Sequence, residues 1–137
     1  MSSIKIPSGE ITNFPYLKLV AQTQKPIILS TGMSKMTEIQ KAIAQIKMYN
    51  ESANISILHC TSLYPAPAET LNLSAIETIS KKFKLPVGYS DHSIGNLASI
   101  TAIAMGARII EKHFTLDKNH SGPDHMASVT YKELKLL

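Results

Sequence analysis

Gly88-Tyr89-Ser90-Asp91-His92 and Ile109-Ile110-Glu111-Lys112-His113 each run from apolar residues into polar ones and stop at a histidine. These two stretches decide the fold. In an extended chain, alternate residues share a face, so Ser90 lies with His92 and Glu111 with His113. Two imidazoles, a hydroxyl and a carboxylate can then converge at one rim, beside the turn Gly122-Pro123-Asp124-His125. That donor set suits a divalent metal holding a polar substrate.

Working outward, short β-rich runs recur at Ile4 to Ile6, Pro26 to Leu29, Ile55 to Cys60, Pro86 to Tyr89 and Ala107 to Ile110. Helical patterns separate them. Asn13 with Pro15 starts a first helix through Leu19 and Val20. A start at Ser34 or Thr37 opens a second, whose Ile39, Ala42, Ile43 and Ile46 form one apolar stripe. Ser74-Ala75-Ile76-Glu77 reads as a capping box for a third, with Ile76, Ile79 and Phe83 on its buried side. Leu97 to Met105, stopped by Gly106, is a fourth, nearly apolar all round. Thr130-Tyr131-Lys132-Glu133 caps a fifth.

Strands and helices alternating every 20 to 30 residues or so build parallel βα units, which form an open doubly wound sheet or a closed barrel. Polar residues decide for the barrel. They close every strand: Lys5 and Ser8, Ser30 and Thr31, His59 and Thr61, Ser90 and His92, Glu111 and His113. A barrel's catalytic face needs this, whereas an open sheet gathers its polar groups at one switch point. Five strands do not close a barrel of eight, so either the chain is part of a longer protein or its open edges pair with another copy.

The 137 residues suit one domain, and 44% apolar with 18% charged residues is ordinary for a globular protein. No apolar run nears the roughly 20 residues of a membrane span. The net charge of +4 comes with scattered basic residues and no aromatic-interleaved basic stripe. That favours a small anionic ligand over nucleic acid. Met1 to Lys5 lacks a secretory apolar stretch, and the single Cys60 cannot form an internal disulfide, which fits a reducing cytoplasm.

The motifs Lys5-Ile6-Pro7-Ser8-Gly9-Glu10, Ile28-Leu29-Ser30-Thr31-Gly32-Met33 and His59-Cys60-Thr61-Ser62-Leu63-Tyr64-Pro65 follow one another in order. Gly88 to Ser93, Ile110 to Thr115 and Gly122 to His125 continue the series. Together they resemble the sialic acid synthase family, the N-acetylneuraminate synthases and the related legionaminic and pseudaminic acid synthases. The likeness runs from Lys5 to Ser128.

The resemblance implies an α/β fold, a partial (β/α)8 TIM barrel of five βα units corresponding to strands four to eight. It implies condensation of phosphoenolpyruvate with an N-acylated amino sugar, release of phosphate, and a divalent cation, Mn²⁺ or Mg²⁺, on His92 and His113. Lys5, Ser8, Ser30 and Ser90 would hold phosphate and carboxylate, and Tyr64 and Asp124 would orient the sugar. Ser62 stands where the best-known N-acetylneuraminate synthases carry Asn, a shorter group in the same substrate-binding place. Glu111 would manage protons or orient a metal-bound water.

The resemblance further implies a homodimer in the complete protein. It places a catalytic glutamate on earlier strands and a substrate-binding arginine in a later antifreeze-like domain, neither lying in residues 1–137. The run Gly122 to Ser128 resembles neuraminate and legionaminate synthases more than pseudaminate synthases, which implies a manno-configured sugar.

Plainer readings stand beside these. Asp124 can shape a Gly-Pro-Asp turn, and the serines can cap the helices that follow them. Cys60 reads as a small core residue, and His59 and His120 as structural or exposed. A truncated, inactive remnant or assembly module is the rival to an enzyme. A metal-dependent aldolase on the same fold is a weaker one. Alone, the chain is expected to self-associate and to lack activity.

Overall fold

Ile4–Ile6 (β1), Ile27–Ser30 (β2), Ile55–Cys60 (β3), Val87–Asp91 (β4) and Ile110–Lys112 (β5) pair in sequential order, every neighbour parallel. The computed structural model that shows this describes residues 2–137. Each crossover is helical: Phe14–Gln22 (α1), Met36–Tyr49 (α2), Ala75–Phe83 (α3) and Leu97–Ala104 (α4), with Tyr131–Leu134 (α5) after β5. Among the described residues, no helix is long and apolar enough to cross a membrane.

The sheet is curled into half a barrel. Four strand spacings of about 4.8 Å would put the edges of a flat sheet some 19 Å apart. Yet Lys5 on β1 and Glu111 on β5, the two edge strands, meet at 2.8 Å. No pair of side chains spans the flat distance, so the face carrying both residues is concave.

Alternation sorts the two faces. Ile6, Ile27, Leu29, Ile55, Ile57, Val87 and Tyr89 point outward and join Leu17, Val20, Ile39, Ile46, Ile76 and Ile79 of the helices in one core. Burying each Ile or Leu contributes about 1.5 to 3 kcal/mol, against about 0 to 1 for an exposed ion pair, so this layer holds the sheet. The alternate residues, Lys5, Ser30, Cys60, Ser90 and Glu111 among them, line the concave side.

Helix signals held where a side chain could reach its target. Asn13 Oδ1 accepts from Tyr16 N–H at the start of α1. Thr130 Oγ1 and Glu133 bond reciprocally at the start of α5. At α3 the expected box does not form: Ser74 sits in a helical conformation, its hydroxyl turns to Asn72 Oδ1, and Glu77 pairs with Lys81 instead. Helix α2 begins at Met36, between the two expected starts, where Glu38 accepts from Lys35 N–H.

In α4 the all-round apolar pattern resolves into small residues, Ala98, Ser99 and Ala102, facing the sheet, with Leu97, Ile100 and Ile103 exposed. Met105 falls outside the helix. Strand β5 is set later than the expected Ala107 to Ile110, because the segment before it only begins the ladder through Arg108 N–H to Val87.

Gly88 decides how closely β4 and β5 approach. A Cβ there would press on the Ile109 carbonyl and lie 2.6 Å from Leu58 Cδ2 and 2.7 Å from Ile109 Cβ. Gly88→Ala should therefore destabilise by about 2 kcal/mol or more, since backbone must shift. Urea denaturation reads this as a lower midpoint, and an unchanged midpoint would contradict the packing.

Lys118 at 2.6 Å and the Thr130 N–H hold the Glu133 carboxyl down to about 2, from 4.5. A depressed acid contributes its full stabilisation above its unfolded pKa and loses it as pH falls through the folded one. The attachment of α5 should thus weaken only between pH 4.5 and about 2. A Glu133 carboxyl-carbon NMR titration centred near 4.5 would contradict it.

Candidate active site and metal centre

All five strands deliver their concave-side residues to one cavity of ≈ 500 Å³ at the carboxyl end of the sheet. Lys5, Ser8, Ser30, Ser62, Tyr64, Ser90, His92, Glu111 and His113 all line it. Asp124 alone of the expected residues does not. It stands at the rim, with Oδ2 4.0 Å from His113 Nδ1.

His92 is held by a bond that fixes its tautomer. Its Nδ1 lies 2.7 Å from the Thr61 carbonyl, which can only accept, so Nδ1 carries the proton. The other nitrogen, Nε2, lies 3.3 Å from Ser90 Oγ. Ser90 has one proton, and it goes to Glu111 Oε1 at 2.6 Å. The Nε2 lone pair is consequently left without a donor. Burial lowers the His92 pKa, the nearby His113 adding to this against the Thr61 carbonyl, so the ring favours its neutral form. A neutral imidazole with Nδ1–H on a carbonyl and Nε2 open is how metal-ligating histidines are oriented.

His113 comes from the next strand, its ring 5.5 Å from that of His92 and tilted by 63°. Tyr64 closes over both, stacked on His92 at 4.1 Å and edge-on to His113 at 5.5 Å. The donor set fits a divalent cation held by two imidazoles. Among the described residues, no group of three or more His, Cys, Asp or Glu side chains is placed to hold a metal ion, so water or substrate oxygens would complete the shell.

Hydroxyls and a thiol line the cavity with the histidines. Ser8 Oγ accepts from Gly32 N–H at 2.9 Å and lies 3.3 Å from Cys60 Sγ. A Cβ on Gly32 would collide with Ser62 Oγ and sit 2.9 Å from both Cys60 Sγ and Ser8 Oγ, so a side chain here would displace the groups that line the cavity. Ser30 is 2% exposed, and its hydroxyl has no hydrogen-bond partner among the described residues. Leaving such a group unpaired costs about 1 to 3 kcal/mol, which a bound anion would offset.

Lys5 Nζ and Ser90 Oγ share one oxygen of Glu111. Burial pushes the Glu111 carboxyl up, but these two bonds outweigh it and hold the group below its ordinary value. Glu111 is therefore a carboxylate that aligns a lysine and a serine, and it bonds to neither histidine.

Several residues escaped the motif reading. Cys60, expected in the core, is buried yet lines the cavity, because it alternates with Ser62 on the concave face; that periodicity was the available signal. The Thr61 carbonyl and the Asp91–Lys112 ion pair had none, since both depend on which strand lies alongside. His59 bonds to the Leu71 carbonyl through Nε2, the structural role expected of it.

The NeuB family model matches residues 1–137. N,N'-diacetyllegionaminic acid synthase of Campylobacter jejuni is 56% identical over 134 residues, covering 97% of this chain and 40% of that protein. The Legionella pneumophila protein of the same name is 50% identical over 137 residues, covering 98% of this chain and 38% of its own length. The crystal structure of N-acetylneuraminic acid synthetase from Leptospira borgpetersenii superposes with a TM-score of 0.92 at 40% identity, over 98% of this chain and 46% of that one. The chain spans about two fifths of the length of the curated relatives it matches. A family-model match over residues 1–137, with relatives 50% or more identical across the same span, makes this chain a member of the NeuB family.

Proposed function

We propose that this chain forms the metal- and phosphate-binding half of an enzyme condensing phosphoenolpyruvate with an N-acylated amino sugar to a nonulosonic acid. Its strands β1 to β5 would be strands four to eight of the complete barrel. The observation that carries the reading is the open lone pair of His92 Nε2 beside His113, in a cavity that also presents Lys5 and a Ser30 hydroxyl with no hydrogen-bond partner among the described residues. The names of its relatives support a nine-carbon sugar acid as product.

In this mechanism Lys5 and the hydroxyls of Ser8, Ser30 and Ser62 hold the phosphate and carboxylate of phosphoenolpyruvate. Ser90 and Glu111 keep the Lys5 ammonium at the wall. Tyr64, already packed on the imidazoles, and Asp124 at the rim orient the open-chain sugar. A divalent cation, Mn²⁺ or Mg²⁺, on His92 and His113 would polarise the sugar's aldehyde. The enol carbon of phosphoenolpyruvate forms the new C–C bond at that aldehyde carbon. Water adds at the former enol-ether carbon, and its C–O bond to phosphate then breaks. Groups on the remaining strands and a partner subunit would complete the site.

The test is phosphate release from phosphoenolpyruvate by the protein expressed from its complete reading frame. Release should require both Mn²⁺ and a manno-configured N-acylated amino sugar. Replacing both His92 and His113 with Ala should remove activity and calorimetric Mn²⁺ binding together. Metal binding that survives the double replacement would overturn the metal assignment, and turnover only with the altro-configured sugar would overturn the substrate.

A further inference from the structure

His92 and His113 are each preceded by a charged residue facing the other way. Asp91 and Lys112 are register partners on β4 and β5. On the helix side of the sheet, Lys112 Nζ lies 2.9 Å from Asp91 Oδ2, with side chains 2% and 0% exposed. Asp91 Oδ1 also accepts from the Ser93 N–H at 2.8 Å and the Ser93 hydroxyl at 2.7 Å. Ser99 Oγ, from α4, donates to Oδ2 at 2.6 Å, and Lys112 donates to the Ser93 carbonyl at 2.7 Å.

Stability alone does not account for this cluster, because apolar residues of similar volume often serve as well as a buried ion pair, or better. Its geometry does. The pair fastens β4 to β5 one residue before each imidazole, and Ser93, bound through its N–H, hydroxyl and carbonyl, fixes the chain one residue after His92. Both peptides flanking His92 are thereby immobilised. A slip of one residue would turn one histidine away from the cavity.

We propose that Asp91 and Lys112, with Ser99, are positioning residues that set the separation and orientation of His92 and His113. This rests on the reading that the two histidines hold a metal. The residues act through the backbone: Lys112 borders the cavity, but its ammonium is buried against Asp91 and the Ser93 carbonyl.

Mn²⁺ titrations followed by the free-ion electron paramagnetic resonance signal test it, on protein from the complete reading frame. Lys112→Met and the milder Ser99→Ala are compared with Ile46→Val, a core change in α2 remote from the site. Supporting groups behind metal ligands typically govern about 10- to 100-fold in affinity, so about threefold or more weakening is expected in Lys112→Met and Ser99→Ala. Ile46→Val should lower the thermal midpoint without that weakening. Should Lys112→Met fail to fold, Ser99→Ala decides alone. Affinity within about threefold of the unaltered protein in the folded variants would overturn the positioning role. If instead the unaltered protein binds no Mn²⁺ that His92→Ala removes, the metal reading itself fails, and the positioning role falls with it.

Discussion

The register between β4 and β5 is the constraint on which the site depends. Tyr89 pairs with Ile110, Ser90 with Glu111 and Asp91 with Lys112. From that one alignment follow the Ser90–Glu111 bond, the buried ion pair behind the sheet, and the approach of the two imidazoles. Gly88 permits it, because any side chain there would push against the Ile109 backbone. Because β strands alternate faces, the register has no intermediate setting: the histidines either both enter the cavity or do not.

Curvature supplies the remainder. The outward core of Ile, Leu and Val bends five strands until Lys5 reaches across to Glu111. That contact is partly exposed and adds little stability, but it brings the first strand's cation to the carboxylate that also holds Ser90, next to His92. Among the described residues the cavity is built with unmet demands: a Ser30 hydroxyl without a partner and a His92 nitrogen without a donor. Ser30 is set by β2 and His92 by its bond to the Thr61 carbonyl, so these groups are arranged for a ligand before one arrives, the condition under which polar groups act most strongly.

Much of this was legible in the chain. Period-2 alternation and polar strand ends placed Ser90, His92, Glu111 and His113 together, and Asn13 and Thr130 announced their helices. Ser74 misled because Asn72, two residues upstream, competes for its hydroxyl, a local bond that a capping pattern does not register. Glu111 reads from its position as managing protons or orienting a metal-bound water, and no local signal says that its carboxylate bonds to Lys5, a residue 106 positions away. Asp91 and Lys112 carry no local signal of their own, since nothing short of strand pairing says that they meet. Local chemistry is written in neighbouring residues, and long-range chemistry only in the register.

The proposed function rests on two imidazoles from adjacent strands sharing one metal ion. Pulsed electron paramagnetic resonance on Mn²⁺ bound to ¹⁵N-histidine-labelled protein from the complete reading frame measures this directly. Coupling to two imidazole nitrogens is expected, one disappearing in His92→Ala and the other in His113→Ala. Bound Mn²⁺ showing no histidine nitrogen coupling, or coupling that both single variants retain in full, would contradict it.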